Sequence, residues 1–303
     1  MPPVPIVAVV GATAAGKSSL ALDLAERLGG EIVNTDAFQV YRGMDIGTAK
    51  LPVAERRGIP HHLLDLVEIT QPTTVSWFQE LAKAVIADCR ARGVVPVLVG
   101  GSALYTRSVV DVFEFPPTDP EIRAGYEARL EAEGPEALHR LLGELAPEAA
   151  AVMNPLNGRR LVRALEAIAV TGKPWSGTLP APTYADPSTV QIGVDIDRPT
   201  LDARITERVD AMWADGLVEE VRSLAARGLR EGVTASRAIG YPQVLAFLDG
   251  EISESRAREQ IAAGTRRFAR RQDGWFRKDG RISWVAYDDP DRIDKAVESV
   301  GAR

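Results

Sequence analysis

Short apolar runs alternate with helical periodicities through the first hundred residues. "PIVAVV" is uninterrupted and apolar, as a strand buried on both faces requires. "GKSSLALDLAERLGG" follows at helical spacing and stops at Gly29-Gly30. "EIVNTD" predicts a second strand, "HHLLDLVE" a third and "VVPVLVGG" a fourth, the last preceded by a helix through "WFQELAKAVIADCRARG". Strands separated by helices predict parallel pairing with right-handed crossovers, hence a doubly wound α/β sheet. Ligands of such sheets sit beyond the carboxyl ends of the strands.

From about Phe115 the pattern becomes helical. Asp119 is placed to cap a helix that begins at Pro120, two or three more helices follow, and "NGRRLVRALEAIAVTG" is the last. "KPWSGTLPAPTYADPST" reads as a linker, and "VQIGVDI" resumes the strand pattern near Val190. The expected organisation is therefore a core of residues 1–116 and 190–303 interrupted by a helical insertion domain, 117–189. The last third predicts helices in "RPTLDARITERVDAMWADG" and "LVEEVRSLAARG", a long helix from about Ser253 to Phe276, and a last strand in "RISWVAYD".

Composition changes this picture little. Charged residues make up 26% of the 303, and the net charge of −6 excludes a surface that is basic throughout, though not a local basic patch. Cys89 is the only cysteine, so an internal disulfide is impossible and a reducing compartment is expected. Ile6 to Val10 is too short to span a membrane. The expectation is a cytoplasmic protein with no membrane partner.

Candidate chemistry collects at the strand ends. Gly11, Ala12, Thr13, Ala14, Ala15, Gly16, Lys17 and Ser18 spell Gly-x4-Gly-Lys-Ser between a strand and a helix, a P-loop in which backbone N–H groups and the helix end face an anion. Lys17 would reach terminal phosphates, and the Ser18 hydroxyl is the candidate ligand for Mg2+. A nucleotide hydrolase also needs an acidic strand end nearby, but "VVPVLVGGSALY" ends in glycines and a serine. Asp36 closes the second strand and could accept a proton or cap the next turn. Ser102 could reach a ligand or cap a helix. Arg204 and Arg208 share a helix face and could clamp a pyrophosphate or pair with Asp202 or Glu207. His61 and His62 diverge and read as structural. Residues 264–281 hold seven Lys or Arg against two Asp, interleaved with Phe268, Trp275 and Phe276. That suits nucleic acid or a solvated helix face equally well, and Arg159, Arg160 and Arg163 form a second cluster that favours nucleic acid. A P-loop small-molecule kinase and a non-enzymatic RNA-binding module remain alternatives at this point.

These stretches in order resemble the bacterial tRNA dimethylallyltransferases, also called tRNA isopentenyltransferases. "GATAAGKS" is similar to that family's GPTASGKS or GPTASGKT, and "TDAFQVYRGMDIGTAK" to its SDSMQVYRGMDIGTAKP. "PHHLLD", "GGSALY", "RRLVRALE", "GLVEEVRSL", "AIGY" and "RRQDGWFR" follow, so the resemblance covers about residues 5–285. Ala12 stands where proline is usual, Phe38 where methionine is common, and Ser102 and Gly274 where threonine is typical. The resemblance implies transfer of a dimethylallyl group from dimethylallyl diphosphate to N6 of adenosine at tRNA position 37, by a monomer using Mg2+. It implies that the loop holds the leaving diphosphate and that Asp36, Ser102 and Arg208 are catalytic. It also implies tRNA contacts from Asp36, Ala37, Phe38 and Gln39 and from Arg123, Arg159, Arg160 and Arg163. Further contacts would come from Ser236, Arg237, Gly240 and Tyr241, and from Arg270, Arg271, Gln272, Trp275 and Arg277. The related adenylate isopentenyltransferases, acting on free AMP or ADP, are the nearest alternative.

Overall fold

In the computed structural model, which describes residues 3–302, the chain forms two compact units, Met1–Asp111 with Tyr184–Arg303, and Val112–Thr183. In chain order the larger unit begins with β1 (Ile6–Val10), α1 (Lys17–Leu28), β2 (Gly30–Asn34), β3 (His61–His62), α2 (Val75–Ala91), β4 (Val95–Val99) and α3 (Ala103–Val110). The smaller unit contributes α4 (Pro120–Glu133), α5 (Pro135–Leu145), α6 (Pro147–Val152) and α7 (Gly158–Thr171). The larger unit resumes with β5 (Thr189–Asp195), α8 (Arg198–Ala214), α9 (Leu217–Ala226), α10 (Tyr241–Leu248), α11 (Glu254–Phe276), β6 (Ile282–Ala286) and α12 (Arg292–Gly301).

The strands form one parallel sheet in the order β3-β2-β4-β1-β5-β6. From β1 the chain runs toward the β2–β3 edge, and from β4 toward the β5–β6 edge, so adjacent strands part company where β1 and β4 end. A crevice opens at such a point. The all-apolar β1 is buried on both faces, as its sequence requires: Ile6, Ala8 and Val10 join one core cluster, Val7 and Val9 the other. The first cluster takes Phe78 of α2, Val109 of α3 and Val244 of α10, whereas the second takes Leu24 of α1, Ile205 of α8 and Ala296 of α12.

Two expectations are corrected. The third strand is only His61–His62 long, because Leu63 and Asp65 turn to φ of 63° and 54°, which no strand accommodates. The division between units falls at 112 and 183 rather than at 117 and 189. Ala185 N–H donates to Val110 at 2.9 Å and Asp111 bridges to Tyr184, which ties those residues to the core. The smaller unit has its own core around Leu138, Leu142, Leu161 and Leu165. Asp119 caps α4 as expected, accepting from the N–H groups of Glu121 at 2.9 Å and Ile122 at 3.1 Å.

Candidate active site

The loop from β1 into α1 curls because three of its residues take left-handed φ: Gly11 at 136°, Ala14 at 64° and Gly16 at 103°. A side chain at Gly11 or Gly16 would be strained there. The loop borders a cleft of about 330 Å³ shared with Asn34 at the end of β2, Asp36 and Gln39 after it, Gly100 and Gly101 after β4, Arg204 and Arg208 of α8, and Phe268 and Gln272 of α11. With Thr48 and Ala49, which also line it, six separate stretches of the larger unit meet at the crevice that the sheet order creates.

Asp36 is oriented from both sides. Its N–H donates to Asn34 Oδ1 at 2.9 Å, and its own Oδ1 accepts from the N–H of Phe38 at 2.8 Å. Asn34 is itself fixed, donating to the carbonyls of Asp36 at 3.2 Å and Leu63 at 3.0 Å. Burial raises the Asp36 carboxyl above its ordinary range, against the opposing pull of the Phe38 N–H and the Lys17 charge. Lys17 donates to the Ala12 carbonyl at 2.7 Å. Burial and the Arg208 charge lower its ammonium to about 7. Arg208 reaches the same loop, donating to Thr13 Oγ1 at 3.2 Å, and burial lowers its guanidinium too. Arg204 and Arg208 both face the cleft, rather than pairing with Asp202 or Glu207. Desolvated cations beside a glycine loop at a helix N-terminus are an arrangement that suits an anion, and Asp36 is the one carboxylate among the described residues lining the cleft.

Other expected site residues separate into groups. Gly100 and Gly101 line the cleft, but Ser102 does not, and it heads α3 without a side-chain capping bond. Gln272 is buried, accepting from the Thr13 N–H at 2.8 Å and donating to the Gly101 carbonyl at 2.8 Å. It braces the loop against the β4 end rather than facing outward. Tyr241 is fully buried and donates to Glu220 at 2.7 Å, so it is a core residue and not a surface contact. Gly240 is likewise buried, with Ser236 half-buried and Arg237 exposed beside it. Arg123 and Arg163 converge on the fully buried Glu166, at 3.0 and 2.9 Å, inside the smaller unit. Arg160 donates to the Gly177 carbonyl at 2.6 Å and stacks on Trp175, leaving Arg159 exposed. Arg277 pairs with Asp195 and Asp273 and lies over Trp284. Arg270, Arg271 and Trp275 stand exposed on α11, and Arg267 joins them at helical spacing. Among the described residues none of these three arginines has an ion-pair partner. Ala37 and Phe38 are half-buried beside Asp36.

The fold also assembles a cluster that spacing does not reveal: Glu31, His62 and Cys89 place their ligand atoms within 4.8 Å of one another. Arg92 forks onto Glu31 at 2.8 and 2.7 Å, which neutralises the carboxylate a cation would need. Burial pushes the Cys89 thiol up to about 11. The cluster is an ion-pair brace between β2, β3 and α2, and the histidine is structural as expected.

Comparison with known proteins agrees with this geometry. The family model of the IPP transferases matches residues 39–279. The chain is 64% identical over 298 residues to the tRNA dimethylallyltransferase of Nocardioides sp., spanning 98% of this chain and 96% of that one. It is 55% identical to that of Thermobifida fusca, over 97% and 94% of the two chains. Among solved structures, the tRNA isopentenylpyrophosphate transferase of Bacillus halodurans superposes with a TM-score of 0.71 at 38% identity, over 99% and 95% of the chains. A eukaryotic dimethylallyltransferase acting on tRNA gives a TM-score of 0.82 at 25% identity, over 98% of this chain and 77% of that one. Six parallel strands, the loop and the Asp36 cleft thus have a common explanation: the chain belongs to the IPP transferase family.

Proposed function

We propose that the chain transfers the dimethylallyl group of dimethylallyl diphosphate to N6 of adenosine 37 in tRNA. The observation that carries this reading is one carboxylate facing a glycine-rich loop and half-buried cations across a single cleft. The adenine amine is a weak nucleophile, its lone pair being delocalised into the ring. As its N–C bond forms, Asp36 takes the N6 proton while the C–O bond to diphosphate breaks and the electron pair leaves with diphosphate. Lys17, Arg208 and the loop N–H groups face that developing charge. Asn34 holds the Asp36 backbone, and Gln272 keeps the loop in register with Gly101.

Mg2+ fits the residues present: Ser18 offers a cleft-facing hydroxyl with no partner among the described residues, an oxygen donor of the kind a hard cation takes. When bound, the ion would shield diphosphate charge. A side pocket of about 30 Å³ adjoins the cleft through Ser18, Asn34, Gln39, Ala49 and Val99, and Leu22, Ile32, Leu51 and Leu64 make its far wall. Its apolar wall is the kind of surface that a branched hydrocarbon tail requires. The exposed arginines of α11, with Trp275, suit an anticodon stem-loop, where the target base must leave its stack to be reached. A monomer working in the cytoplasm, where tRNA is modified, completes the reading. Among the described residues no helix is long and apolar enough to cross a membrane.

A competition assay with labelled dimethylallyl diphosphate, an unmodified anticodon stem-loop and AMP tests the acceptor. Label in the RNA with AMP inert is expected. Label in AMP would transfer the protein to the adenylate isopentenyltransferases, and γ-phosphate transfer from ATP would make it a kinase.

A further inference from the structure

The Gly43 to Lys50 segment is a loop rather than a helix or strand, and it borders the cleft through Thr48 and Ala49. It is held from outside by one side chain. Glu220 of α9 accepts from three consecutive N–H groups, those of Asp45 at 3.0 Å, Ile46 at 2.6 Å and Gly47 at 3.1 Å. Successive N–H groups turned to one side make an anion nest, and here the anion belongs to the protein. The Tyr241 hydroxyl donates to the same carboxylate at 2.7 Å. A Cβ on Gly47 would lie 2.6 Å from the Tyr241 ring, so glycine is what lets the ring close over the nest. From inside, the buried Lys50 ammonium binds the Tyr41 carbonyl at 2.9 Å, Asp45 at 2.6 Å and Asp65 at 2.5 Å.

The clamp reaches the reaction centre through Gln39. Its Nε2 donates to the carbonyls of Thr48 at 3.1 Å and Ala49 at 3.4 Å, and Gln39 lines the cleft three residues from Asp36. A loop left free to move would carry Gln39 with it. The phosphate loop, braced separately by Gln272, would stay in place.

We propose that Glu220 and Tyr241 are positioning residues for the acceptor base: they fix the 45–49 loop so that Gln39 and Ala49 form a rigid wall beside Asp36. This rests on the RNA-prenylation reading and adds to it a division of labour, with Glu220 of α9 and Tyr241 of α10 bracing the acceptor side and Gln272 of α11 bracing the donor loop. It also gives Tyr241 a role other than direct RNA contact.

The test compares the full-length protein with Glu220→Ala, Glu220→Gln and Tyr241→Phe, each checked for folding by circular dichroism. Two readouts are taken: amide hydrogen exchange at Asp45, Ile46 and Gly47, and separate KM values for anticodon stem-loop RNA and dimethylallyl diphosphate. In Glu220→Ala the exchange is expected to quicken at least tenfold. The RNA KM should rise at least fivefold while the donor KM stays within twofold. Glu220→Gln, which keeps one acceptor oxygen, should recover part of the loss, and Tyr241→Phe should lose less than Glu220→Ala. An unchanged RNA KM in folded variants, or an equal rise for both substrates, would overturn the proposal. Absence of any transfer by the unaltered protein would sink the RNA reading instead. The exchange data would then decide the clamp alone, supporting it if fast in Glu220→Ala and overturning it if unchanged.

Discussion

At the scale of single residues, Asp36 and Lys17 are displaced in opposite directions by the same burial. For the free protein the signs are definite. Below its raised pKa, Asp36 is protonated and cannot accept the N6 proton, so kcat/KM for the donor rises with pH through that range. Above about 7, Lys17 is neutral, and binding a diphosphate then requires taking up a proton, so the same parameter falls. A bell-shaped profile is expected, with its falling limb near neutrality. Lys17→Arg, whose charge persists, should move that limb to higher pH, and a pH–rate series on both proteins checks it. Asp36→Asn should lower kcat by about 10²–10⁴-fold, the range of general-base contributions. These two residues were legible because each lies in or beside a contiguous motif at a strand end. How Tyr241 and Gln272 are held was not legible, because their partners lie far along the chain, at Glu220 and at Thr13 and Gly101.

At the scale of elements, α11 shows how one helix divides its work. Ala269, Gln272 and Phe276 turn inward, whereas Arg267, Arg270, Arg271 and Trp275 turn outward. Periodicity leaves the basic stretch balanced between nucleic acid and solvent, and the structure turns Arg267, Arg270 and Arg271 outward with no ion-pair partner among the described residues. Arg270→Glu with Arg271→Glu should weaken stem-loop binding and flatten its salt dependence, with the donor KM unchanged; titrations at several salt concentrations read this directly. Gly274 lies on the outward side, where an added Cβ meets nothing within 4 Å. Gly274→Ala should therefore stabilise the helix by about 0.5–1 kcal/mol, seen as a higher melting temperature. In the smaller unit Glu166 is fully buried between Arg123 and Arg163. Glu166→Gln leaves two partly exposed guanidiniums short of a counter-charge and should cost about 1–3 kcal/mol, measurable by denaturant unfolding. Of the secondary structure, β1, β2 and β4 were readable as apolar runs bounded by glycine or a polar turn. α10 and α12 were not read, being short and amphipathic and following irregular chain.

At the scale of the molecule, the sheet order explains why distant motifs act together. β1 and β4 are neighbours whose connections run to opposite edges, and the phosphate loop, Asp36 and the two cleft glycines all lie at the ends of the three central strands on that side. Alternating strands and helices were enough to predict the parallel sheet and the end at which a ligand sits. They were not enough to place α8, whose Arg204 and Arg208 enter the cleft from almost two hundred residues along the chain, or to find the Glu220 clamp. Such contacts depend on tertiary packing, which leaves no period in the sequence. The central claim is that one cleft places a carboxylate base opposite a bound leaving group. Single-turnover transfer from labelled dimethylallyl diphosphate to an anticodon stem-loop tests it most directly, run with the unaltered protein and with Asp36→Asn after confirming that both bind donor and RNA. Label on N6 of adenosine 37 in the first, and a rate at least a hundredfold lower in the second with binding intact, is the predicted result. Equal rates, or label on any other atom of the RNA, would contradict the assignment of Asp36 and the geometry built around it.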